Sequence, residues 1–191
     1  MARIDILESA PVLDAIGLLT RDHRLIEELF REFDLAGEQQ VDPLARRICK
    51  MLRIHAQILE EIFYPAARRA LGSDQTQIET AEFAHREAKA SIALIESMTS
   101  NDAAFRPTVR ALAEEFSQHV ASEEKELFPR VREAKLDLLS VGIALSERRD
   151  TLMDVLGLHP DDEEAAVYPA ENPELAAVVA ERKEREKTVV K

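Results

Sequence analysis

Two stretches of this 191-residue chain repeat one arrangement of side chains that bind metals. HAQILEEIFYP spans residues 55–65 and HVASEEKELFP spans residues 119–129. Each opens on a histidine and ends, ten residues later, on a proline preceded by an aromatic ring. His23 and His85 are each followed by arginine, and they stand 32 residues before His55 and 34 before His119. Neutral imidazole is the commonest metal ligand among side chains. Residues i and i+4 share one helix face, so His119 and Glu123 can hold one cation, or Glu123 can bridge two. The first segment has Leu59 where the second has Glu123. The plain alternative for any single histidine is a core residue satisfied by hydrogen bonds. Four at matching places weigh against it, because an unpaired buried polar group costs on the order of 2–7 kcal/mol. A glutamate between Phe116 and Leu127 is equally costly unless it meets a cation or a snorkelling arginine.

The donor set narrows the ion. Four nitrogens and a carboxylate, without thiolate, suit iron, zinc, copper or nickel better than calcium or magnesium. Zinc is content with four such ligands. The ferritin-like di-iron pattern needs Glu-x-x-His on two helices. Glu82 stands so before His85, but Phe116 holds the matching place before His119. Glu60 is turned about 100° from the His55 stripe in a regular helix. It reaches a metal only from the edge, or through a π-bulge that rotates the turn. Glu27 flanks the His23 stripe in the same way. Both have the alternative of a solvated glutamate, and Tyr64 and Phe128 read as packing residues.

Four helical stripes must position these groups. The first, from Pro11 to Asp34, carries Ile16, Leu19, His23, Ile26, Phe30 and Phe33 at steps of three and four, and ends at Gly37. The second opens on the cap pair Asp42-Pro43, carries Ile48, Leu52, His55, Leu59 and Ile62, and closes near Gly72. The third begins after Ser73 or Asp74 and carries Ile78, Ala81, His85, Ala88, Ile92 and Ile95. The fourth starts between Asn101 and Pro107 and carries Val109, Leu112, Phe116, His119, Glu123 and Leu127. Short polar connectors make neighbours antiparallel, which predicts an all-α, up-down four-helix bundle over residues 1–135. Each half is an αα-hairpin with one histidine per helix, and the halves form a pseudo-two-fold pair. Residues 136–157 form an additional helix packing on the bundle. Residues 158–191 read as an acidic linker and a terminal helix that opens at Asn172-Pro173. That last helix is either a docked surface element or a site for self-association or a protein partner.

Composition supports this frame. The chain is 46 % apolar and 32 % charged with only five glycines, a mixture that favours helices. Its 25 basic and 37 acidic residues give a net charge of −12, a field that repels phosphate backbones and argues against nucleic acid as a partner. There is no apolar leader-like region and no run of about 18 apolar residues, so a signal peptide and a membrane span are not expected. The chain reads as cytoplasmic. The single cysteine, Cys49, excludes an internal disulfide and a cysteine zinc cluster, and reads as a small buried apolar group.

Residues 12 to 135 resemble the hemerythrin-like family, the HHE cation-binding domains. The resemblance rests on LLTRDHRLIEELF around His23, HAQILEEIFYPA around His55, AHREAK around His85 and HVASEEKELFPRV around His119. It implies non-haem iron, often as two oxygen-bridged ions, and a role in oxygen binding, peroxide or nitric oxide chemistry, or iron or oxygen sensing. The implied ligands are His23, His55, His85, His119 and Glu123. The family's first segment reads His-x-x-x-Glu-Glu, and here Leu59 replaces the first acid. Three outcomes follow: a di-metal centre completed by Glu60, Glu27 or water; one tight ion near His119 and Glu123 with a weak second position; or a decayed site. The expected cofactor is iron, one or two ions, with zinc as the alternative, and the expected partner is a small diatomic or peroxide ligand. No separate nucleophile or acid–base pair is visible, so enzymatic activity stays open. The rival reading is a metal-responsive or structural helical interaction module with a partial or mono-metal site.

Overall fold

The structure, a computed structural model, describes residues 13–158. The first helix, α1, spans Ala15–Leu35 and is capped by Asp14, whose carboxylate accepts from the Gly17 N–H at 2.7 Å. The start expected at Pro11 lies outside the described residues. The second helix, α2, spans Glu38–Ile58, with Gly37 as its N-cap. It therefore opens a turn before the Asp42-Pro43 signal. Val41 is buried in the core and draws the extra turn in, while Asp42 pairs with Arg46 at 3.0 Å instead of capping. Pro43 is carried inside the helix.

The rod continues through a five-residue π turn, Leu59–Phe63, into α3, Tyr64–Leu71. It stops at Gly72, whose φ of 65° suits glycine. Helix α4 spans Thr76–Ser97, and α5 spans Phe105–Ser122. A second π turn, Glu123–Leu127, leads into α6, Phe128–Glu133. The Tyr64 N–H bonds to the Leu59 carbonyl and the Phe128 N–H to the Glu123 carbonyl, each five residues back. The prolines that follow, Pro65 and Pro129, account for the widening. A proline ring inside an α-helix clashes with the carbonyl four residues back and cannot donate to it. A wider turn relieves both problems without breaking the rod.

Helices α1 and α2 form one hairpin, α4 and α5 the other. Contacts of α1 with α5 and of α2 with α4 close the ring of four rods. Among the described residues there is no strand. The architecture is the all-α four-helix bundle that the periodicity requires. Phe33 against Phe105 fills one end of the core, and Phe63 against Phe128 fills the other. Cys49 lies buried in the core cluster, where burial pushes its thiol up to about 11. No helix among the described residues is long and apolar enough to cross a membrane.

Helix α7, Leu138–Leu156, lies along α1 and α2. At Gly142 a Cβ would come within 2.7 Å of the Ala15 nitrogen and the Leu13 oxygen, so only glycine permits this approach. Arg148 reaches Glu61 at 2.7 Å, Arg149 reaches Asp22 at 2.8 Å, and Lys50 donates to the Leu156 carbonyl at 2.8 Å. The linker and terminal helix expected at 158–191 lie, beyond Leu158, outside the described residues.

Candidate metal centre

Each of the four rods carries one histidine into the same buried layer. His23 stands in the middle of α1 and His85 in the middle of α4, while His55 and His119 sit in the last turn before each π turn. Ring centroids are 4.9 Å apart for His23–His55, 4.7 Å for His85–His119 and 6.0 Å for His55–His119. One donor atom each from His23, His55, His119 and Glu123 lies within 4.8 Å of the others. Glu123 Oε2 is 3.2 Å from His23 Nε2 and 3.4 Å from His119 Nε2. His85 adjoins the group: its Nε2 is 3.2 Å from His119 Nε2.

The layer is underbonded as protein alone. His23 Nε2, both nitrogens of His55 and Glu123 Oε2 are buried without a hydrogen-bond partner. Each such group costs on the order of 1–3 kcal/mol when nothing meets it. Orphaned imidazole nitrogens beside an orphaned carboxylate oxygen share one remedy, a cation among them. The residues present therefore fit a metal ion of the kind that nitrogen and carboxylate ligands select.

Behind three of the rings stands a carboxylate. Glu124 is 2.8 Å from His23 Nδ1 and is itself held by Arg24 at 2.6 Å. Glu60 is 3.5 Å from His85 Nδ1 and is held by Lys89 at 2.6 Å. Asp22 Oδ2 is 4.0 Å from His55 Nδ1, and its other oxygen accepts from Arg149. Glu124 is within hydrogen-bonding distance of His23 Nδ1, a contact that fixes the tautomer and leaves Nε2 to face a metal, while Glu60 and Asp22 face their rings without a hydrogen bond. Glu60 and Glu124 are counterparts: each sits second in its π turn and crosses to the first helix of the other hairpin.

These contacts locate every candidate from the sequence. His23, His55, His119 and Glu123 come together, and His85 lies against them. Glu60 lies behind His85, one-third exposed, rather than among the orphaned atoms. Glu27 pairs with Arg24 at 3.1 Å on the outer edge. Leu59 is fully buried. Tyr64, read from sequence as packing, does more. Its hydroxyl donates to Glu123 Oε1 at 2.8 Å and is 3.4 Å from His85 Nε2. The trace available for it was that Tyr64 puts a hydroxyl where the acid-bearing repeat has Phe128. Glu124 and Asp22 were also missed. The Glu-Glu doublet in each repeat and the Asp-His pair at 22–23 were the traces available.

The charge states follow from burial and these partners. Burial holds His55 well below the ordinary imidazole value of 6.5 and, opposed in part by Glu60, lowers His85 as well. Burial alone would lower His23 too, but Glu123 and Glu124 outweigh it and raise the ring. Glu123 is the mirror case: burial would raise it, and His119 and His23 together hold it well below the carboxylate range. The His85 contact, with Lys89, brings Glu60 down to about 2. Burial raises Asp22 despite Arg149. The layer thus holds an anionic Glu123 beside His55 and His85 rings that burial keeps neutral, forms in which carboxylate and imidazole bind a cation.

Between α2, α4 and α5 a cavity reaches His55, His85 and His119 past Ala84, Ala88 and Phe116. Its volume is about 30 Å³. That is room for about two waters, or one molecule of comparable size.

A family model described as the hemerythrin HHE cation binding domain matches residues 14–131. A protein of Nostoc sp. (strain PCC 7120) named DNA nickase is 30 % identical over 116 residues, 60 % of this chain and 32 % of that protein. The chain thus spans about a third of that relative's length. The crystal structure of a hemerythrin HHE cation binding domain-containing protein from Mycobacterium kansasii is similar with a TM-score of 0.66 at 19 % identity. The similarity covers 81 % of this chain and 98 % of that one, and it speaks for the fold.

Proposed function

Because this chain belongs to the hemerythrin HHE cation-binding family, we propose that its buried layer holds non-haem iron that meets a diatomic or peroxide ligand. One ion sits among His23, His55, His119 and Glu123. His85 and the Tyr64 hydroxyl mark a second, weaker position. Tyr64 supplies, on the side where Leu59 stands, the oxygen that the missing acid would have given. Glu60 and Glu124 act from outside, each orienting a ring through Nδ1. Bound iron supplies reversible ligand binding and electron exchange with small oxygen or nitrogen species. The protein supplies a dry, shaped cavity and the fixed donors.

One observation carries this reading: the orphaned nitrogens of His23 and His55 beside the orphaned oxygen of Glu123. The cavity of about 30 Å³ supports the ligand class by size, since it has room for a molecule of one or two heavy atoms beside the histidines. The test is metal per chain and the optical spectrum of protein made in iron-supplemented cells. The expected result is iron at one ion per chain, rising towards two in Leu59→Glu. Tyr64→Phe, which removes a hydroxyl that would help hold the second ion, should lower occupancy of that position and leave the first ion in place. Protein that carries no iron overturns the reading. Zinc alone at one ion per chain would replace it with a mono-metal structural site.

A further inference from the structure

Three acids stand behind the histidines, and one of them is built unlike the others. Glu60 and Glu124 belong to the π turns, and Lys89 and Arg24, the cations that hold them, are about half exposed. Asp22 belongs to α1, is 3 % exposed, and is held by Arg149, itself only 11 % exposed. Arg149 comes from α7, which begins after the matched residues 14–131 end. Its guanidinium donates to Asp22 Oδ1 at 2.8 Å and rests on Met153 Sδ at 2.8 Å. Burying an arginine with a carboxylate is costly in desolvation and seldom a net gain in stability. The other Asp22 oxygen, Oδ2, has no hydrogen-bond partner and faces His55 Nδ1, which also has none.

We propose that Arg149 is a positioning residue of the metal centre, acting through Asp22 on His55, and that it couples the docking of α7 to metal occupancy. The proposal rests on the reading of the layer as a metal site. A cation on His55 Nε2 fixes the ring as the Nδ1–H tautomer. That hydrogen needs an acceptor, and Asp22 Oδ2 is the unpartnered one facing it at 4.0 Å. Arg149 holds the carboxylate in that orientation by occupying its far oxygen. Linkage makes the effect reciprocal: if α7 improves metal binding, metal must improve the docking of α7 by the same factor.

The experiment is an anaerobic ferrous titration against a competing chelator on the full chain, with four variants: Arg149→Leu, Arg149→Lys, Asp22→Asn and Asp22→Asn/Arg149→Leu. Amide exchange over residues 138–156 is followed with and without iron. Loss of an outer partner typically weakens metal binding on the order of 10–100-fold, and Arg149→Leu should fall in that range. Arg149→Lys should recover part of the loss. The double variant should bind no more weakly than Asp22→Asn alone, because Arg149 acts only through Asp22. Iron should slow exchange in α7 of the wild-type chain and leave it unchanged in Asp22→Asn. Wild-type affinity in Arg149→Leu overturns the proposal, as do two losses that simply add. If the leucine variant does not fold, the same comparison stands on Arg149→Lys and Asp22→Asn. A wild-type chain that holds no iron overturns the metal reading itself and this proposal with it, a different outcome from iron held equally by every variant.

Discussion

At Glu123 a fully buried carboxylate touches His23, His119 and Tyr64, and among the described residues no arginine or lysine pairs with it. The sequence showed this acid plainly, because it interrupts an oily stripe four residues after a histidine. The same logic could not place Glu60 or Tyr64. Their roles depend on how far the π turn rotates the chain, and a stripe drawn at 3.6 residues per turn cannot supply that angle. The charge states make the metal-free chain sensitive to pH in both directions. His55 and His85 lie below 6.5 when folded, so the unfolded chain takes up their protons first and stability falls as pH drops below 6.5. Glu123 and Glu124 are held below 4.5. Their contribution is present above 4.5 and is lost as pH falls through their folded values. His23 is raised, so its contribution is complete below 6.5 and is lost as pH rises through its folded value. Metal-free protein should therefore be most stable near 6.5 and weaken more steeply on the acid side. Urea midpoints that climb without a maximum from pH about 5 to about 8 would contradict this.

The helices themselves were legible wherever the apolar stripe is long. All four bundle rods, with the histidine in each, follow from steps of three and four. Signals at single residues were less secure. Asp42-Pro43 looked like a start, yet burial of Val41 outweighed it and carried the proline inside α2. The two π turns were legible only as a repeated aromatic-proline pair, because the clash that widens them depends on the helix continuing past the proline. Helix α7 was expected as a cover, and its docking depends on backbone contact that the sequence marks by a single glycine. Gly142→Ala would drive a methyl into the backbone of Leu13 and Ala15. Overpacking of this kind costs about 1–3 kcal/mol. Urea unfolding should show that loss, and faster amide exchange should be confined to α7 and the start of α1. An unchanged midpoint would mean that α7 adds nothing to bundle stability.

At the scale of the molecule, binding and stability are one measurement. A ligand that binds only the folded chain stabilises it by about 2.7 kcal/mol at a hundred times its dissociation constant. For a chain of this size, that amounts to roughly 5–10 °C in melting temperature. Stripping metal with a chelator should lower the midpoint by that amount, and re-addition of iron should restore it. A midpoint indifferent to metal would favour the structural reading of the histidines. The net charge of −12 acts in the same direction, because its field concentrates cations around the chain. The relative named DNA nickase is similar to this chain over 116 residues, about a third of its own length.

The cavity and α7 lie on different flanks of the bundle: the first opens between α2, α4 and α5, and the second covers α1 and α2. The histidine layer consequently has a front and a back. At the front the cavity is lined by His55, His85 and His119, while at the back α7 lies against α1 through Gly142 and Arg149. A change on the α7 face leaves the α4 and α5 walls of the cavity untouched and reaches its lining through His55.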